Sequence, residues 1–257
     1  MSGHSTCLAR SLNSALRSSI AGCQCCTSTV CGFSNLTQEQ LNEIVLKAYQ
    51  AKVKVFAHCN GDAAADMMLK AAGEAEKTLK NARAGEGTVI IHSQIIRPDQ
   101  LRAYQKQGFI PSFFTNHTYF WGDVHLENLG AKRAYFISPL KSAARSGILF
   151  TNHTDTPVTP MNQLFLVWSA VNRVSRTGKI IGEAEKVSPY LALKAITING
   201  AFQYGEQKDK GTIELGKLAD FVILGRNPLK VPEAEIKNIK VEETIKSGKT
   251  VFSAVSK

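Results

Sequence analysis

From about residue 36 onward, apolar residues recur with a helical period and alternate with short apolar runs. Leu41, Ile44, Val45 and Ala48 follow the i, i+3, i+4, i+7 spacing of an amphipathic helix, which predicts a helix over 38–51. Thr37, followed three residues later by Gln40, reads as a capping box at its start. The apolar run 53–57 then predicts a short strand, so the segment reads as a helix followed by a strand.

The same alternation continues along the chain. It predicts helices over 62–81, 98–107, about 131–146 and about 188–204, and strands over 88–92, 109–114 and 148–151. Short β-rich runs separated by helices are typical of βαβ units in a parallel sheet. Residues 211–253 instead show apolar runs interrupted by glycines, which predicts a small β-rich module at the end of the chain.

The first 35 residues differ in composition from the rest. They contain eight serines, two arginines and no Asp or Glu, as well as five of the six cysteines. One interpretation is a mitochondrial targeting segment, and the other is sequence that does not belong to the fold. Under either interpretation we expect this leader to be disordered or loosely attached. Its Cys23, Cys25 and Cys26 lack a second half-site at the spacing of a zinc motif.

Composition narrows the classes of partner. Hydrophobic residues make up 44% of the 257 residues, which supports a sizeable core, and Cys59 alone follows the leader, which excludes a disulfide framework. The 31 basic and 21 acidic residues give a net charge of +10, but the basic residues are scattered and match no nucleic-acid-binding motif. No apolar run has the length of a membrane span. We therefore expect neither nucleic acid nor a membrane as a partner.

Polar residues stand where three predicted strands end. His58 follows the first strand and His92 ends the second, 34 residues later, an interval of one βα unit. Adjacent parallel strands lie about 4.8 Å apart, so two such histidines can converge on one divalent ion. Asp155 lies just beyond the last of these strands, where a carboxylate can bind a metal and accept a proton. Each residue also has a structural interpretation, Asp155 as a turn or capping residue before Pro157.

Four segments carry a family resemblance. AHCNGDAA from Ala57, IIHSQ from Ile90, NHTDTPVTP from Asn152 and the closing GTIELGKLADFVIL from Gly211 resemble the metal-dependent amidohydrolase superfamily, in particular its YtcJ-like (amidohydrolase 3) family. The resemblance covers about 36–253. It implies an α/β fold that forms the C-terminal half of a TIM-type (β/α)8 barrel, strands 5–8, over 36–205. A small β-sandwich module follows over 206–257.

The same resemblance implies a site and a reaction. His58, His92 and Asp155 correspond to metal ligands, and Asp155 also to the general base. His117, on the loop after strand 7, Asn152 and His153 correspond to substrate-binding positions. The implied reaction is hydrolysis of a non-peptide carbon–nitrogen bond, in which a metal-activated water attacks the carbonyl of a small amide. The ligand types favour zinc and leave iron or manganese open.

The sequence also departs from the family pattern. The family binds metal through an HxH pair as well, and no HxH occurs in the 257 residues. We therefore expect a truncated form that lacks the HxH half-site. The alternative is a catalytically inactive fragment that acts as an interaction protein and associates into homo-oligomers through open sheet edges. The expected compartment is the cytoplasm, or the mitochondrion if the leader is a genuine transit peptide.

Overall fold

The computed structural model describes residues 34–255 of the chain. Its larger sheet has four parallel strands. Its strands are β1 (Phe56–Cys59), β2 (Val89–His92), β3 (Ile110–Phe113) and β4 (Thr151–Asn152), and they lie in that order across the sheet. The helices before β4 are α1 (Gln38–Gln50), α2 (Asp62–Leu79), α3 (Pro98–Gln107), α4 (Asn116–Ala134) and α5 (Leu140–Arg145). The predicted α/β fold with a parallel sheet is therefore confirmed.

Helix α1 packs on α2 through small and apolar side chains. Thr37 and Gln40 form the predicted capping box at the start of α1. The buried side chains Val45 and Tyr49 of α1 belong to the same core as the alanine-rich face of α2, which includes Ala71 and Ala72. These alanines let the two helices approach closely. The hydroxyl of Tyr49 lies 3.0 Å from that of Thr88, just before β2, and so satisfies a buried polar group.

The predicted helix over 131–146 is wrong. Helix α4 already begins at Asn116, and Gly130 (φ 70°, ψ 160°) interrupts it before Ala134. Helix α5 is a separate short element. The predicted loop that carries His117 is therefore the first turn of α4. The ring of Tyr119 in this turn packs on Phe165 and Trp168 of the helix over 163–172.

Three further helices complete this part of the chain, α6 (Gln163–Asn172), α7 (Pro189–Ile196) and α8 (Ile198–Tyr204). Helix α6 was not predicted, because it is apolar on nearly every side and its residues 164 and 166–171 are buried, so it lacks an amphipathic period. The helix predicted over 188–204 is divided between α7 and α8 at Thr197, whose backbone (φ −120°, ψ −98°) is not helical.

A buried arginine fixes the loop after α6. Arg173 has no solvent exposure, and its guanidinium donates hydrogen bonds to the backbone carbonyls of Ile181 (2.6 Å), Ser138 (3.0 Å) and Ile137 (2.7 Å). The first carbonyl lies within the same loop, and the other two lie between α4 and α5. One side chain therefore joins the segment after α6 to the segment between α4 and α5.

A three-stranded antiparallel sheet closes the described chain. Its strands are β5 (Phe221–Leu224), β6 (Val241–Lys246) and β7 (Lys249–Ser253), in that order. This agrees with a β-rich module in the predicted region. The leader, apart from its last two residues, and its cysteine cluster lie outside the described residues. Within residues 34–255, every helix is too short or too polar to cross a bilayer.

Candidate metal centre

The centre lies at the carboxyl ends of β1, β2 and β4, and an unusual backbone conformation at the end of β2 shapes it. His92 and Ser93 both have positive φ, 72° and 43°. Such conformations cost non-glycine residues roughly 1–3 kcal/mol each and recur at functional sites. The backbone N–H of Ser93 donates to the carbonyl of Cys59 (3.1 Å), which holds this turn against the end of β1.

The turn brings two histidine rings together that the sheet register would separate. His58 is paired with Ile91, and His92 with Cys59, so regular strands would place the two imidazoles on opposite faces. The left-handed backbone of His92 departs from this alternation. As a result the rings meet edge to face with centroids 4.6 Å apart, His58 at the exposed edge strand and His92 buried.

His153 and Asp155 reach the same place from the segment after β4. The backbone N–H of His153 donates to the carbonyl of Phe113 (2.9 Å), and its Nδ1 lies 3.1 Å from the hydroxyl of Ser112. One ligand atom each from His92, His153 and Asp155 lie within 4.8 Å of one another. Asp155 also has a positive φ of 54°, a conformation that Asp tolerates better than most residues.

Burial keeps the imidazoles neutral. It lowers the pKa of His92 to about 3, assisted by repulsion from His153 and His58. It also lowers the pKa of His153 to about 4, again with a contribution from His58. Fully buried Phe114 stacks on His153 with ring centroids 5.4 Å apart and so excludes water from one face. Burial raises the pKa of the Asp155 carboxyl, partly offset by His58.

The donor atoms fit a divalent cation. The Nδ1 of His92 and the Nε2 of His153 are buried and have no hydrogen-bond partner. Unpaired buried nitrogens are costly, and a cation that accepts their lone pairs removes that cost. Two neutral imidazoles and one carboxylate are also a donor set typical of zinc. These three residues could therefore hold a divalent metal.

Comparison with known proteins agrees with this chemistry. The sequence matches the amidohydrolase family over residues 8–252, nearly the whole chain. The chain belongs to the amidohydrolase family. The match begins within the leader that composition sets apart, so family similarity extends further toward the N-terminus than the motifs indicate.

Relatives of this amidohydrolase-family chain are longer than it is. It is 26% identical over 220 residues to YtcJ of Bacillus subtilis, which is named as an amidohydrolase. The matched residues cover 83% of this chain and 40% of the relative. It is 23% identical over 218 residues to the N-substituted formamide deformylase of Arthrobacter pascens, with coverage of 84% and 40%. The chain thus spans about 40% of the length of these curated relatives.

Solved structures of hydrolases are similar to this chain. A metal-dependent hydrolase of uncharacterised function from Pyrococcus furiosus superimposes with a TM-score of 0.66 at 26% identity, covering 79% of this chain and 40% of the other. The ochratoxinase of A. niger superimposes at 0.60 with 19% identity and shows the shared fold alone, covering 89% and 49%.

The structure brings His117 close to the metal centre of this amidohydrolase-family chain and adds two residues that the sequence reasoning missed. His117 is buried, and its ring centroid lies 6.5 Å from that of His92. Its Nδ1 lies 3.3 Å from Nε2 of His125, which in turn lies 2.9 Å from Nε2 of Gln94. His117 and His125 are eight residues apart, a spacing that places both side chains on one side of a helix. The sequence pattern did not indicate this, because the segment was predicted to be a loop.

Asn152 lies at the end of β4 and serves the fold around the centre. Its Oδ1 accepts from the backbone N–H of Thr115 (3.2 Å), and its Nδ2 donates to the hydroxyl of the same residue (2.8 Å). Both polar atoms of its amide therefore join the ends of β3 and β4. Asp62 is the first residue of α2, after the N-cap Gly61, and lies near the guanidinium of Arg97.

Proposed function

We propose that this chain provides the metal-binding side of an amidohydrolase that hydrolyses a carbon–nitrogen bond other than a peptide bond. The observation that carries the proposal is the convergence of ligand atoms from His92, His153 and Asp155 within 4.8 Å at the ends of parallel strands. Carboxyl ends of strands are where α/β barrels and open sheets place their active sites. Family membership supports the same chemistry.

The proposal includes the architecture implied by the motifs. Under it, β1 to β4 correspond to strands 5–8 of a (β/α)8 barrel, residues 36–205 form the partial barrel and 206–257 the β-sandwich module. The order of His58, His92 and Asp155 at the ends of β1, β2 and β4 supports this correspondence, and so does the parallel order of the sheet. The HxH half-site is then a feature of the family that this sequence does not contain.

Asp155 is the proposed general base. Its half-buried carboxylate accepts a proton from the attacking water as the new carbon–oxygen bond forms. It then returns the proton to the leaving nitrogen as the carbon–nitrogen bond breaks. A divalent cation held here, with zinc favoured by the donor set, would supply polarisation of the carbonyl and a lower pKa of water. The neutral imidazoles of His92 and His153 and the Asp155 carboxylate would hold it.

The proposed substrate is a small amide. The relative from Arthrobacter pascens is named for N-substituted formamides, which are amides. His117, which lies within ring contact of His92, is the proposed substrate contact. The role of Asn152 as a substrate contact stays a prediction. Both polar atoms of its amide already form hydrogen bonds with Thr115.

The third ligand is open to direct test. The resemblance assigns it to His58, whereas the distances assign it to His153, whose buried Nε2 lacks a partner. From the distances we predict that His153→Ala lowers zinc affinity more than about 10-fold, while His58→Ala has a smaller effect, because His58 is exposed and lies outside the close set. Isothermal titration of the chelator-treated chain with zinc measures both.

The titration distinguishes the two ligand sets and tests whether the chain binds zinc. A larger loss in His58→Ala than in His153→Ala would reject the distance-based set in favour of the resemblance-based one. Equal, near-zero zinc uptake by the unsubstituted chain and both variants would reject the metal-enzyme proposal altogether.

That last outcome would favour the second candidate function, a non-catalytic interaction protein. One observation supports it, since β1 and β4 are both edges of the parallel sheet and β1 carries the exposed side chain of Phe56. Ile213 and Leu215 are also almost fully exposed ahead of the antiparallel sheet. Unpaired strand edges beside apolar surface are templates for association, here into a homo-oligomer.

A further inference from the structure

Three buried side chains, Gln94, His125 and His117, form a hydrogen-bonded network beside the metal centre. Gln94 follows β2 by two residues, and its backbone carbonyl accepts from the N–H of Ser138 (2.9 Å), which fixes the position of the residue. Gln94, His125 and His117 are 0%, 2% and 3% exposed. His125 lies two helical turns after His117 on α4, with Trp121 between them on the same face. Water therefore has little access to these side chains.

The donor and acceptor roles in this network follow from which atoms of Gln94, His125 and His117 lie next to each other. In this orientation of the Gln94 amide, its Nε2 donates, so Nε2 of His125 is the unprotonated, accepting nitrogen. The same Nε2 lies 3.3 Å from Nδ1 of His117. Two lone pairs facing each other would repel, so Nδ1 of His117 carries the hydrogen and donates to His125. A neutral imidazole has one N–H, which leaves Nε2 of His117 as an acceptor.

The rings of His117 and His125 are neutral because both are buried. Burial lowers the pKa of His125 to about 4. His117 is only 3% exposed, and its ring contacts are with His92, Phe114, Trp121 and His125, none of which carries a negative charge that would favour a cationic ring. Near neutral pH both rings therefore carry one hydrogen each, and only the position of that hydrogen is left to be set by neighbours.

We propose that Gln94 and His125 are positioning residues that hold His117 in its Nδ1–H tautomer, so that Nε2 accepts a hydrogen bond from an N–H or O–H group of the substrate. This role rests on the proposed function of His117 as a substrate contact. The tautomer itself does not rest on it. The inference favours amides that retain an N–H over fully N-substituted amides, because only the former can donate to Nε2.

The tautomer can be read directly from two-bond ¹H–¹⁵N correlation spectra of the ¹⁵N-labelled, chelator-treated full chain at neutral pH. The His117 signals are assigned by their loss in His117→Asn. We expect one tautomer with the hydrogen on Nδ1. A hydrogen on Nε2, an averaged mixture or a cationic ring would overturn the proposal. Because the spectrum is recorded without metal, its outcome is separate from that of the zinc titration.

Substitutions at Gln94 test the cause. The carboxylate in Gln94→Glu can only accept from His125, which places a hydrogen on Nε2 of His125 and switches His117 to its Nε2–H form. Gln94→Met removes the donor without adding charge, and we expect a mixture of tautomers. The matched control is Gln107→Glu, since Gln107 is another partly buried glutamine, bonded to the carbonyl of Leu69 on α2.

An unchanged His117 tautomer in both Gln94 variants, or the same switch in the control, would show that Gln94 does not set the tautomer. If Gln94→Glu fails to fold, Gln94→Met and the spectrum of the unsubstituted chain still decide between these outcomes.

Discussion

His92→Asn is expected to lower the zinc affinity of the chain more than about 100-fold. Loss of a group that only orients a metal ligand costs about 10–100-fold, so loss of a ligand costs more. His92 belongs to both candidate ligand sets, and its buried Nδ1 has no other partner. Asparagine is the chosen replacement because it tolerates the positive φ of this position better than alanine. Isothermal titration with zinc measures the change.

The control for this variant is Ile91→Val, at the neighbouring position of β2. It costs only about 0.5–1.5 kcal/mol of stability and leaves every candidate ligand in place. Its zinc affinity should match that of the unsubstituted chain. An affinity of His92→Asn equal to that of the control would remove His92 from the metal site.

Arg173→Met is expected to lower the free energy of unfolding by about 2–6 kcal/mol. Burial lowers the pKa of Arg173 to about 10, so the guanidinium is still charged at neutral pH. Methionine keeps the length of the side chain but leaves the carbonyls of Ile137 and Ile181 without a donor, while that of Ser138 still accepts from the N–H of Leu140. Each unsatisfied buried group costs about 1–3 kcal/mol. Urea unfolding followed by circular dichroism measures the loss.

Arg102→Met serves as the matched control. Arg102 is an exposed residue of α3, and such surface substitutions usually change stability by less than about 0.5 kcal/mol. Equal unfolding free energies for Arg173→Met and Arg102→Met would mean that the loop between α6 and α7 is held by other contacts.

Local signals predict those parts of the fold that local interactions determine. The boundaries of α3 coincide with the predicted 98–107, because Pro98 can occupy only the first turn and Gly108 (φ 67°) ends the helix in a left-handed conformation. By contrast, α4 contains Gly122, which reads as a helix breaker. A Cβ there would lie 2.6 Å from Cγ1 of Ile181, so this glycine serves a contact 59 residues away. No local pattern reveals such a contact.

The site divides in the same way. The sequence places His58, His92 and Asp155 at strand ends, and the structure has each of them there. It cannot show that the register offsets His58 from His92 by one residue, or that a left-handed backbone at His92 brings the rings together. Likewise, the position of His153 beside His92 depends on the hydrogen bond between its backbone and Phe113 across the sheet. Long-range geometry therefore decides which polar residues of the strand ends become partners.

The measurement that tests the metal centre most directly is zinc K-edge X-ray absorption on the full chain loaded with one equivalent of zinc. We expect nitrogen and oxygen ligands only, with Zn–N distances of about 2.0–2.1 Å and the scattering pattern of imidazole. A sulfur shell at about 2.3 Å would place the metal on cysteines such as those of the leader instead. That result, or a spectrum unchanged in His92→Asn, would contradict a metal site built from His92, His153 and Asp155.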